Sequence, residues 1–133
     1  MPSAIPKSLA RTARLMPLLI LLSACGNDTE NEAIRQYAQA AAPVDPELAE
    51  IYERSCRSCH ARSQSGAPLT GDHAHWAKLL AEKSMDTLVD NTVDGYGGMP
   101  PMGHCMDCDR EEFKALIQFM AQAPEDNSQE PDA

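Results

Sequence analysis

The chain has 133 residues, 43% apolar and 23% charged, which is the composition of one globular domain and excludes a collagen-like or wholly disordered polymer. Its 20 acids against 11 bases give a net charge of −9, so it lacks the basic surface with which proteins neutralise nucleic-acid phosphates. No apolar run approaches the roughly 20 residues of a bilayer-spanning helix, which excludes a polytopic membrane fold. With 5% aromatic residues, the core falls to Leu, Ala, Val, Ile and Met.

The charge is unevenly spread. Lys7, Arg11 and Arg14 precede the apolar run from Leu15 to Leu22, and the first acid is Asp28. A positive stretch, a short apolar stretch and the small residues Ser23 and Ala24 are the pattern of an export signal over residues 1–24, too short to persist as a membrane span. Plain cleavage after Ala24 would put Leu22 where a small residue is preferred. Leu22-Ser23-Ala24-Cys25 instead resembles the bacterial lipobox, which implies cleavage before Cys25 and a lipid on its thiol. A stray cysteine behind an ordinary signal is the alternative. Gly26, rather than Asp, next to it implies the outer membrane. Loss of residues 1–24 removes three bases and no acid, leaving a net charge of −12.

Residues 25–43 are polar and Ala-rich and show no useful apolar face. They read as a flexible tether, although Ala, Glu, Gln and Arg favour a nascent helix. The folded domain is expected over residues 44–122. Asp45-Pro46 reads as N-cap and first helical residue, with Leu48, Ile51 and Tyr52 following at helical spacing. Asp72 opens a second helix carrying Trp76, Leu79 and Leu80. Met85, Leu88, Val89 and Val93 form a third stripe, ended by Gly95. Asp109 and Glu112 form a capping box ahead of Phe113, Leu116, Ile117 and Met120. Four short helices and almost no strand signal predict an all-α domain. Residues 123–133, with four acids and two prolines, read as a disordered acidic tail.

Cys56-Arg57-Ser58-Cys59-His60 is the run that carries chemistry. In an exported protein, C-x-x-C-H reads as covalent haem attachment. The two thiols add to the two vinyl groups, and the next residue offers its imidazole to the iron. Cys56 and Cys59 would be the thioether residues and His60 the proximal ligand. A Cys56–Cys59 disulfide or redox pair is the plain alternative. Zinc is another, because Cys105-Met106-Asp107-Cys108 is a second C-x-x-C; an oxidising compartment favours disulfides instead. The sixth iron ligand would come from Gly95-Tyr96-Gly97-Gly98-Met99-Pro100-Pro101-Met102, where glycines let the backbone approach the haem and proline after Met99 extends the chain. Met99 is the expected thioether and Met102 its rival. His104, beside this loop, could replace Met in a perturbed state. His73 and His75, two apart, do not share a helix face and read as solvated side chains.

Together these residues resemble the class I cytochromes c, most closely the bacterial cytochrome c-five type, over about Ala49 to Met120. The resemblance is carried by Ile51-Tyr52, the C-x-x-C-H run, Gly66-Ala67-Pro68, Gly71-Asp72, Trp76, Met85-Asp86-Thr87-Leu88, Gly98-Met99-Pro100-Pro101, Gly103 and the second C-x-x-C. It implies a small all-α fold of about four helices around one covalently bound haem c. It further implies Met99 as axial ligand, a Cys105–Cys108 disulfide clamping the Met loop, and the Pro68 carbonyl as acceptor for the other ring nitrogen of His60. Trp76 would lie near a haem propionate or simply fill the core. Ala49 stands where many members have Gly at the crossing of the first and last helices, and Met102 where they often have Lys.

The function these readings support is a periplasm-facing, membrane-tethered carrier of single electrons between respiratory redox partners, without a substrate or enzymatic reaction of its own. Partners would be a protein donor and acceptor meeting the haem edge transiently, and the membrane through the lipid on Cys25. A haem-based gas sensor or small peroxidase with a labile distal Met is the reading from another class. It predicts carbon monoxide binding by the reduced protein. A haem-free structural lipoprotein would be colourless.

Overall fold

A computed structural model describes residues 26–124 and Met1. The expected signal of residues 1–24, the lipidation site Cys25 and most of the acidic tail lie outside the described residues.

The first element differs from expectation. Residues assigned to a flexible tether form helix α1, Gly26–Ala40. Its propensity is supported by Glu32, which accepts from Arg35 at 2.6 Å and from Gln36 at 3.0 Å on the exposed side. Its apolar contact is small but real: Ala38 is fully buried, and the Tyr37 ring lies so close to Gly71 that a Cβ there would strike it. Gly71 has φ +86° and bonds through its amide to the Met120 carbonyl at 2.8 Å. Arg57 reaches back to the Gln39 carbonyl. The helix therefore docks on the domain, where a leash was expected.

Helix α2 is Pro46–Ile51, capped as read: Asp45 Oδ1 accepts from the Glu47 and Leu48 amides at 2.9 and 3.0 Å. It runs on through a wide π turn, Tyr52–Cys56, into the short helix α3, Arg57–His60. The wide turn decides which side chains of α3 point inward. Ile51, Tyr52 and Ser55 are buried, and regular helical spacing would bury Cys59 next. One extra residue in the turn advances the buried face, so His60 is buried and Cys59 exposed.

Helix α4, His73–Asp94, joins the second and third expected helices across a break at Ser84, whose φ of 63° and ψ of 158° are not helical. Asp72 caps the first arm through the His75 amide at 3.1 Å. Ser84 Oγ caps the second through the Thr87 amide at 3.3 Å. Helix α5, Arg110–Ala121, carries the complete Asp109–Glu112 capping box.

Helices α4 and α5 pack on each other, and α2 crosses α5. Tyr52 meets Phe119 edge to face, with ring centroids 5.1 Å apart. Ile51, Leu88, Val89, Phe113, Leu116, Ile117 and Met120 complete the core. Among the described residues there is no named strand; one isolated bridge joins Tyr96 and Met99. The fold is all-α as expected: α2, the two arms of α4 and α5 are the four anticipated helices, and α1 and α3 are additional.

Candidate functional site

The wide turn and α3 present Cys56, Cys59 and His60 to a cavity of about 340 Å³, bounded further by the 66–68 segment, α4, the 96–104 loop and α5. Cys56 is partly buried, and that burial pushes its thiol up to about 11. Cys59 is exposed.

His60 is held at one nitrogen. Its Nδ1 lies 2.7 Å from the Pro68 carbonyl, which can only accept, so Nδ1 carries the proton and the Nε2 lone pair is left for another partner. Burial lowers its pKa, against the opposing pull of that carbonyl. The ring therefore stays neutral and able to donate electrons. The next carbonyl, Leu69, accepts from Trp76 Nε1 at 2.8 Å. Two successive carbonyls thus fix His60 and Trp76, whose rings stand 5.9 Å apart. Trp76 is buried in the core and lines the cavity, and its N–H is spent on Leu69. Beneath, the Tyr52 hydroxyl and Thr70 Oγ1 lie 2.8 Å apart in the interior.

The structure separates the two methionines of the loop. Met99 lines the cavity. Met102 does not; it turns away, with φ 60°, and packs against the hydrophobic core. Met99 is fixed by paired backbone bonds with Tyr96 at 2.9 and 3.1 Å. Gly103 lies under its thioether: a Cβ there would sit 3.2 Å from Met99 Cε, and φ is +55°. The loop ends at Cys105 and Cys108, which are bonded to each other and buried. That bond occupies two of the four thiols a shared zinc would need. Arg54 ties this end to the Cys56 segment through both oxygens of Asp107, at 3.1 and 2.8 Å. His73 and His75 are exposed and do not line the cavity; His104 is exposed and does.

Three features had no legible signal. Lys83 is the one permanently charged side chain lining the cavity among the described residues. Its Nζ stands 4.6 Å above the Tyr96 ring and 3.3 Å from its hydroxyl. Ser55 Oγ is buried at the cavity without a partner among the described residues. The Arg54–Asp107 pair joins residues 53 apart in the chain.

The donor set suits a haem. Two cysteines three apart, a neutral imidazole with Nε2 free and a thioether share one mainly apolar cavity, and these are the groups that attach and ligate haem iron. Residues 44–120 match the family model described as cytochrome C oxidase, cbb3-type, subunit III. The chain is 34% identical to cytochrome c5 of Azotobacter vinelandii over 73 residues, covering 54% of this chain and 88% of that protein. It is 33% identical to cytochrome c5 of Ectopseudomonas mendocina, covering 54% and 84%. The chain belongs to the class I cytochromes c, of the c5 type. Similarity extends to a chain of the crystal structure of an electron transfer complex of nitrite reductase with cytochrome c. There the TM-score is 0.50 and the identity 33%, over 59% of this chain and 95% of that one. This cytochrome is a mono-haem electron carrier with one covalently bound c-type haem.

Proposed function

We propose that this cytochrome is a lipid-anchored, periplasm-facing carrier that relays single electrons between respiratory redox proteins and has no enzymatic reaction of its own. The observation that carries the reading is the sharing of one cavity by His60, with Nε2 free, and the Met99 thioether. Cys56 and Cys59 would hold the haem, His60 and Met99 would ligate its iron, and Pro68 keeps His60 in the tautomer that leaves Nε2 free. Cys105–Cys108 fixes the end of the Met99 loop. The bound haem supplies one-electron exchange between ferric and ferrous iron, and two protein ligands leave no vacant position for a substrate. The chain's part is to exclude water around the iron and to set its potential: a thioether raises it relative to a second histidine. The lipobox-like Leu22-Ser23-Ala24-Cys25 supports the anchor, and Gly26 favours the outer membrane.

The test is the absorption spectrum of the protein exported with haem maturation. Haem retained after denaturation, sharp reduced bands and a sulfur-to-iron band that is lost in Met99→Ala and kept in Met102→Ala are expected. Carbon monoxide binding by the unmutated reduced protein at neutral pH would instead establish the sensor or peroxidase reading. A sulfur-to-iron band that survives Met99→Ala and disappears in Met102→Ala would move the ligand to Met102. Metabolic labelling with a fatty acid, abolished by Cys25→Ser, tests the anchor separately.

A further inference from the structure

Met99 does not stand alone in this cavity. Of the four histidines in the chain, His104 is the one besides His60 that lines it. It comes from the same loop as Met99, five residues on, and its neighbour Cys105 is held in the interior by the disulfide. Among the described residues, the His104 side chain makes no hydrogen bond and no ion pair, so nothing need be broken for it to move. The backbone between the two side chains is poised to change. Met102 and His104 both hold left-handed φ, 60° and 67°, on either side of Gly103 at 55°. Non-glycine residues occupy that region only under constraint, so a rearrangement of the loop relieves strain at two positions. Met99 Cε lies over Gly103 in the same turn, 3.2 Å from where a Cβ would stand. Imidazole is also a strong ligand for haem iron in both common oxidation states, and a single thioether is the weaker partner.

We propose that His104 is a reserve distal ligand, which takes the haem iron when Met99 is displaced. The loop then has two bound forms. With Met99 bound it is the high-potential carrier; with His104 bound it is a bis-imidazole site of lower potential that is still closed to small ligands. The exchange makes and breaks coordinate bonds only, with no change in electron count. It rests on Met99 as the ordinary ligand, and the experiment separates failure of the two ideas.

The variants are Met99→Leu, which conserves volume and removes the donor, and Met99→Leu combined with His104→Ala, both purified with covalent haem. Met99→Leu is expected to lose the sulfur-to-iron band yet stay low-spin, and to form no carbon monoxide adduct on mixing. The double variant is expected to become high-spin and to bind carbon monoxide. His104→Ala alone keeps the sulfur band, and Met99→Leu with His75→Ala behaves as Met99→Leu. Met99→Leu and Met99→Ala proteins that are both high-spin and bind carbon monoxide as readily as the double variant overturn the inference. So does loss of the low-spin state on removing His75 in place of His104. A sulfur band that survives Met99→Leu instead refutes Met99 as ligand and takes this inference with it. Met99→Ala, read the same way, guards against a Leu side chain that blocks His104.

Discussion

Ser84 offers the sharpest energetic test. It interrupts α4 with φ 63° and ψ 158°, a region that belongs almost wholly to glycine. Holding serine there costs about 2 kcal/mol, within the range for such conformers. Glycine removes that cost and gives back two smaller terms. The cap from Ser84 Oγ to the Thr87 amide is worth only about 0.3 kcal/mol relative to glycine at a cap. The greater freedom of glycine in the unfolded chain costs about 0.7 kcal/mol. Ser84→Gly should therefore stabilise the protein by about 1 kcal/mol, or roughly 4–8 °C in Tm for a domain of this size. Ser84→Ala keeps the strained Cβ and loses the cap, so it should destabilise by about 1 kcal/mol. The assay is thermal unfolding of the haem-loaded protein by far-ultraviolet circular dichroism, confirmed by denaturant midpoint. The expected order is Gly, Ser, Ala. A Ser84→Gly protein no more stable than the parent would refute the strain argument, and one less stable would show that the cap outweighs it.

Three other outcomes can be checked with simple variants. Gly103→Ala puts a Cβ 3.2 Å from Met99 Cε at φ +55°, so the sulfur-to-iron band should weaken relative to the parent. Tyr37→Ala removes the ring lying on Gly71, so trypsin should cut after Arg35 faster while the haem spectrum stays unchanged. Arg54→Ala removes the guanidinium that lowers the Asp107 pKa. A depressed carboxylate contributes stability above its unfolded pKa and loses it as pH falls through the folded one. The parent and Arg54→Ala stabilities should therefore differ slightly at neutral pH and converge below the ordinary aspartate range. The pair is exposed, so the gap should also shrink with salt.

The parts of this protein that could be read from its residues are those whose cause is local. Asp45-Pro46, Asp72 and the Asp109–Glu112 pair each satisfy backbone donors within three residues, so the helix starts were visible in sequence. The C-x-x-C-H run is local in the same sense. What was hidden depends on partners far along the chain. The contacts of α1 bring Tyr37 to Gly71 and Gln39 to Arg57, and no periodicity in residues 26–40 announces them. The wide turn at Tyr52–Cys56 changes which of Cys59 and His60 is buried without leaving a residue pattern of its own. Serine at 84 conceals a conformation that glycine would have advertised. Lys83 became notable only when α4 placed it at the cavity beside Tyr96.

If Cys25 carries a lipid, the docking of α1 would change how this carrier meets a partner. A helix of 15 residues is about 22 Å long at 1.5 Å per residue, and it begins at the residue after Cys25. With a lipid on Cys25, the domain rides on a short strut, at a set height and with a restricted choice of headings. A disordered segment of that length would let the haem face sample nearly every direction. Such a strut would remove much of that tumbling and leave lateral drift across the membrane as the main search. Partners seated at the same height would be met in a favourable pose on many encounters, and partners elsewhere on few. Selectivity among redox proteins would then arise partly from geometry above the bilayer, set by a Tyr37–Gly71 contact remote from the haem.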